Sequence, residues 1–212
     1  EEVKDRLRQI VRETDYSEIV AMEQELMAEG MPVEEVQSMC DLHSQVTREV
    51  LVPPPAAPVP PGHPVDTFRR ENQALGGVVL KMRRAMARLD GLPDEAPAPD
   101  DLMFEWRQAF NELMDIEKHY QRKEHTFFSA MERHGITGPS KVMWGKDDEV
   151  RQLLKELARA LGQRDAAAGE WKLVAVTVAD AALSAVEEMI YKEENILLPM
   201  CQDAFTEEDW AE

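Results

Sequence analysis

Apolar residues recur along most of this chain every three or four positions, and the strict alternation of a half-buried strand is almost absent. The pattern predicts an all-α protein. Near the N-terminus, Val3, Leu7, Ile10 and Val11 mark a short amphipathic helix over 2–12. Asp15 or Ser17 caps a second helix carrying Ile19, Met22, Leu26 and Met27, and Gly30 stops it. Pro32, tolerated in a first helical turn, opens a third that carries Val36, Met39, Cys40, His43 and Val46. Three such helices make a small subdomain with a thin core, expected to lean on something larger.

The run P-P-P-A-A-P-V-P-P at 53–61 breaks the helical pattern. Prolines lack the N–H that a helix or sheet needs and favour extended polyproline II, so the run reads as a semi-rigid spacer. It divides the chain into a subdomain over 1–52, a linker over 53–62 and a larger domain over 63–212. Four long helical patterns follow. The first runs from His63 to Leu89, with Val65, Phe68, Leu75, Val78, Val79 and Met82 among its apolar positions, and ends at the acidic, proline-bearing loop 91–100. The second runs from Leu102 to His134 and closes on G-I-T-G-P-S; within it, Ile116, Phe127, Phe128 and Met131 recur at helical spacing. The third spans Val142 to Leu161 and ends at Gly162, and the fourth spans Ala166 to Gln202. Thr206, followed by Glu207, Glu208 and Asp209, starts a last turn that docks Trp210. Long helices with short connections predict an up-down-up-down four-helix bundle with a small N-terminal three-helix subdomain.

Charge narrows the partners. The formal net charge is −18, so there is no basic surface to displace nucleic-acid counterions. No apolar run approaches the ~18 residues of a membrane span. Two cysteines, Cys40 and Cys201, are too few for a disulfide framework, which makes a reducing cytoplasm the expected compartment. No signal peptide is visible, and the chain opens on E-E-V without methionine, so both ends are open to trimming. No nucleophile–base constellation or phosphate loop stands out, which argues against a hydrolase or transferase.

Bundle cores hold cofactors between facing helices on inward side chains. At one level the four patterns offer His63, His119, Asp147, and Glu193 or Glu194, with Met189 four before Glu193. His119 shares a helix face with Lys123. A lone inward His is more often a satisfied core residue than a ligand, and the company of the other residues is what changes that balance. Segments H-Y-Q-R-K-E-H-T-F-F and M-I-Y-K-E-E-N-I-L-L align position by position, setting His119 over Met189 and Lys123 over Glu193, as in a short internal repeat. Cys40 and His43, three apart, are half of a zinc pattern. They read as a buried thiol and a capping His, or as groups facing the bundle centre once the spacer folds the subdomain back. The twelve methionines read as adaptable core packing, and Glu23, Glu25, Glu29, Glu34 and Glu35 as a solvated face.

The motifs H-P-V-D-T-F-R-R-E-N, H-Y-Q-R-K-E-H-T-F-F, H-G-I-T-G-P-S-K-V-M-W-G-K-D-D-E and Y-K-E-E-N-I-L-L-P-M resemble those of hemerythrin-like (HHE) cation-binding domains. The N-terminal M-P-V-E-E-V-Q-S-M-C-D-L-H-S resembles the DUF438 domain that precedes one branch of them, and that branch often continues into a downstream PAS sensor domain. The resemblance implies a four-helix bundle around non-haem iron, bound by histidines and two bridging carboxylates. Carried over, His63 and His119 match ligand histidines and Glu193 matches one bridge. Lys123 stands where the other bridge belongs, with Glu124 one step round the helix. Asp147 and Met189 stand where histidines belong. His125 and His134 fall outside the pattern.

Three readings of this centre remain open. A rearranged non-haem site would use His63, His119, Glu124, Asp147 and Glu193. A haem would use His63 and His119 as axial ligands, with Met189 as a substitute and Lys123, Arg70 or Arg151 beside the propionates; His43 is a further candidate. A packed core would pair Lys123 with Glu193 and Asp147 in place of any metal. Haem is favoured over non-haem iron because the di-iron ligand set is incomplete. The function expected is that of a cytoplasmic sensor of O2, NO or redox state, signalling to a downstream domain. The alternative is a redox enzyme with non-haem iron, peroxidase-like or repairing iron–sulfur centres under nitrosative stress.

Overall fold

A computed structural model describes residues 16–39, 57–163 and 166–211. The expected helix over 2–12, the cap at Asp15, Cys40, His43, Val46 and the first prolines of the spacer lie outside the described residues. Among the described residues the fold is all-α. The only strand-like pairing there is an isolated bridge between Pro97 and Ala167. The helices are α1 (Tyr16–Ala28), α2 (Pro64–Asp90), α3 (Asp100–Leu113), α4 (Ile116–Arg122), α5 (Ser129–Arg133), α6 (Gly138–Leu161), α7 (Ala168–Val174), α8 (Asp180–Lys192) and α9 (Leu198–Ala204). Residues 33–39 are also helical. Three wider π-helical turns, Lys123–Phe128, Ala175–Ala179 and Glu193–Leu197, join α4 to α5, α7 to α8 and α8 to α9.

These residues belong to two compact units that cut across the linear order. One takes the described residues up to Val65 with those of Arg122–Lys146 and from Tyr191 on; the other takes the described residues of Asp66–Gln121 and Asp147–Ile190.

In the first unit, local sequence sets the helix ends. Gly30 (φ 101°) and Gly135 (φ 78°) adopt the left-handed conformation that side chains resist. Each closes a helix by the same pair of bonds. Met31 N–H donates to Leu26 O (2.9 Å) and Gly30 N–H to Met27 O (3.2 Å); Ile136 N–H donates to Met131 O and Gly135 N–H to Glu132 O, both at 3.0 Å. The segment between α5 and α6 is the seat of α1. Gln24 Oε1 accepts from the backbone N–H groups of Thr137 (3.2 Å) and Gly138 (3.3 Å), and its Nε2 donates to Gly135 O (3.2 Å). A side chain from a distant helix thus satisfies donors that α6 cannot pair internally. Gln37 Nε2 likewise donates to Val142 O at 3.3 Å. Ile19, Val36, Phe127, Phe128, Met131, Val142, Leu197 and Leu198 are buried, as is the Cys201 thiol, whose ionisation burial pushes well up.

In the second unit, Phe68, Leu75, Val79, Met82 and Leu89 form the buried stripe of α2 that the periodicity predicts. The expected second helix is not continuous. It pauses at Met114–Asp115, so that Leu113 and Ile116, three apart, are both buried. Ends are again tied by side chains. Arg107 lies over the Trp171 ring at 5.7 Å and donates to Leu161 O and Gln163 O, both at 2.9 Å. Lys172 donates to Leu92 O (2.6 Å) and Asp94 (2.7 Å). Arg83 bridges Asp180 and Glu187.

Candidate functional site

His119 lies on α4 in the second unit and is 3% exposed. Its ring stacks on Phe68 with centroids 4.0 Å apart and an interplanar angle of 27°. Its Nδ1 is 2.8 Å from Glu71 Oε2. Phe68 and Glu71 are three apart on α2, so one helical face presents both the ring and the carboxylate. An ionised carboxylate only accepts, so Nδ1 carries the proton and donates it to Glu71. Metal-ligating imidazoles are oriented in this way, by a carboxylate on the second nitrogen that raises the basicity of the first. Glu71 was not singled out from the sequence, and Phe68 was read there only as an apolar position of its helix. The available signal was a carboxylate at the edge of the apolar stripe of α2, three beyond a buried aromatic.

The same unit holds several other candidates. Asp147 on α6 and Met189 on α8 are buried. Arg70, 67% exposed, is held by Asp66 four residues earlier (3.0 Å). Arg151 donates to Glu117 Oε2 (2.9 Å) and to Asp148 (2.9 Å), and lies 5.7 Å from the Tyr120 ring centroid. Its hydrogen bond holds the Glu117 carboxyl below the ordinary range.

The first unit holds the rest. Lys123 and Glu193 are both 0% exposed, and Lys123 Nζ donates to Glu193 Oε1 at 2.7 Å. Each opens a π-helical turn, so the two aligned motifs share a backbone irregularity as well as a register. Such turns are rare and recur at functional sites. Glu124 is buried beside Lys123. His63 is half-buried and caps α2: Val65 N–H donates to its Nδ1 at 3.1 Å. Nδ1 is therefore an acceptor, which puts the proton of the neutral ring on Nε2. Its ring lies 4.7 Å from that of Trp210. His125 is exposed, and His134 ends α5, its Nε2 2.9 Å from Asp209 Oδ2. Among the described residues, no group of three or more His, Cys, Asp or Glu side chains is gathered closely enough to hold a metal ion.

Two family models match the chain. The Hemerythrin HHE cation binding domain covers residues 63–201, and a family of unknown function, DUF438, covers residues 1–52. The chain therefore belongs to the hemerythrin HHE cation-binding family, whose fold implies a helical bundle and whose members suggest iron or another cation as the ligand. No curated protein matches the chain. No helix among the described residues is long and apolar enough to cross a membrane.

The donor chemistry here fits some forms of iron better than others. His119, buried and backed by the Glu71 carboxylate, has the setting of an iron-ligating imidazole. The Lys123–Glu193 pair does not fit two irons. The ammonium neutralises the carboxylate that would bridge them, and a second positive centre beside it would be repelled in a water-poor interior.

Proposed function

We propose that this chain is an iron-cofactor module of the hemerythrin type that reports a small gaseous ligand, O2 or NO, or a change of redox state, with haem as the favoured form of iron. The observation that carries this reading is His119, a buried imidazole stacked on Phe68 with its Nδ1 2.8 Å from Glu71 Oε2, the orientation that a carboxylate gives a ligating imidazole. The Lys123–Glu193 pair adds weight against a two-iron centre and so towards haem. When bound, such an iron supplies an exchangeable coordination position and a one-electron couple. The protein's part is to orient the imidazole through Glu71 and to pack Phe68 against one face of the ring. Signalling to a downstream PAS-type domain is part of the same proposal.

The test is the absorption spectrum and iron content of the purified protein, reconstituted with haem and separately with ferrous iron, for the wild type and for His119→Ala and His125→Ala. The expected result is a Soret band on haem addition that His119→Ala removes and His125→Ala leaves. Full haem and iron retention in His119→Ala would overturn the assignment of the ligand. Iron bound at two per chain with no Soret band would overturn the preference for haem.

A further inference from the structure

The pair Lys123–Glu193 is unusual for how completely it is shielded. Neither side chain reaches solvent, and 2.7 Å separates Nζ from Oε1. Nζ also lies over the Phe128 ring, itself buried, 5.9 Å from its centroid. The ammonium therefore meets both a carboxylate and an aromatic face. Those two surfaces together recognise an organic ammonium: the carboxylate supplies charge and a hydrogen-bond acceptor, and the ring supplies its negative face. A hard metal ion would gain little from the phenyl ring. Both partners stand at the first residue of a π-helical turn, in two segments whose sequences align. The backbone departs from the ordinary helix on both sides of the same pair.

We propose that this cradle is an alkylammonium-binding site occupied by the chain's own Lys123, a resident cation that closes this part of a cation-binding fold to metal. Its consequence is specific. Cutting the side chain back to Cβ removes Cγ, Cδ, Cε and Nζ, the atoms of n-propylammonium. The Lys123→Ala protein is then a receptor for that ion, and the wild type is not. The proposal concerns the Glu193 cradle alone and does not depend on how His119 is used. Its test needs no iron, so its failure and the failure of the iron reading are separate results.

The experiment is thermal unfolding of the iron-free full chain, wild type and Lys123→Ala, in a concentration series of n-propylammonium chloride. Tetramethylammonium chloride at equal ionic strength and manganese(II) chloride serve as the comparison ions. Breaking the pair is expected to lower the midpoint by on the order of 10 °C. Propylammonium is expected to raise the midpoint of Lys123→Ala with the logarithm of its concentration and to leave the wild type unchanged. Should Lys123→Ala not fold unaided, its refolding yield from denaturant with and without propylammonium reads the same property. No recovery specific to propylammonium, in midpoint or in yield, overturns the proposal. Recovery by manganese(II) in its place overturns the ammonium assignment and makes Glu193 a metal ligand.

Discussion

Replacing Glu71 by glutamine keeps an acceptor beside His119 Nδ1 but removes its charge. The existing contact is 2.8 Å, in the range of a charge-assisted bond. Such bonds contribute about 1.5–3 kcal/mol against about 0.5–1.5 for neutral ones, so the substitution costs roughly 1 kcal/mol at the imidazole. That corresponds to about fivefold in the affinity of anything His119 holds. Glu71 is 29% exposed, and solvent screening keeps the effect at the lower end. Glu71→Ala goes further, because the ring loses both charge and orientation. Loss of such an outer partner costs about 10–100-fold in affinity. A less basic imidazole also stabilises the oxidised metal less, so the midpoint potential should rise from wild type to Glu71→Gln to Glu71→Ala. The assay is a haem titration followed at the Soret band, with spectroelectrochemistry of the loaded protein and thermal unfolding of the iron-free protein as a control. If Glu71→Ala binds haem as tightly as the wild type at an unchanged potential, the carboxylate does not tune His119 and the reasoning fails.

Other expectations concern the first unit. Gln24→Ala removes the acceptor from the Thr137 and Gly138 amides. It should cost about 1 kcal/mol, as loss of a helix cap does, and speed hydrogen exchange at those two amides; unchanged exchange would show that α1 does not cap α6. Asp209 is held below its ordinary value of 3.8, first by the Thr206 side chain, then by its backbone N–H and by His134. A depressed carboxylate contributes its stabilisation above the unfolded value and loses it as pH falls through the folded one. The turn carrying Trp210 should therefore stay docked down to about pH 4 and be released only below that, as read from the Trp210 indole resonance. Release near pH 5, or the same profile in Asp209→Asn, would contradict this.

Much of this protein could be read in its sequence because the governing rules are local. The stripe Phe68, Leu75, Val79, Met82 and Leu89 follows from helical spacing alone, since burial of one face needs only a period. Gly30 and Gly135 end helices because a left-handed residue is cheapest without a Cβ. The alignment of Lys123 with Glu193 was also visible as a repeated motif. What that alignment meant physically was not. Two opposite charges at matching positions can lie in solvent or form a buried pair, and only the packing of both turns decides which, through the cost of desolvating either one alone. The π-helical turns at 123–128, 175–179 and 193–197 leave no mark in the hydrophobic period, because one extra residue in a turn shifts the register too little to be seen in a short window. Glu71 reaches His119 across 48 residues, and Gln24 reaches Gly138 across 114. Pairings at such separations depend on where whole helices come to rest, which the spacing of residues within each helix does not specify.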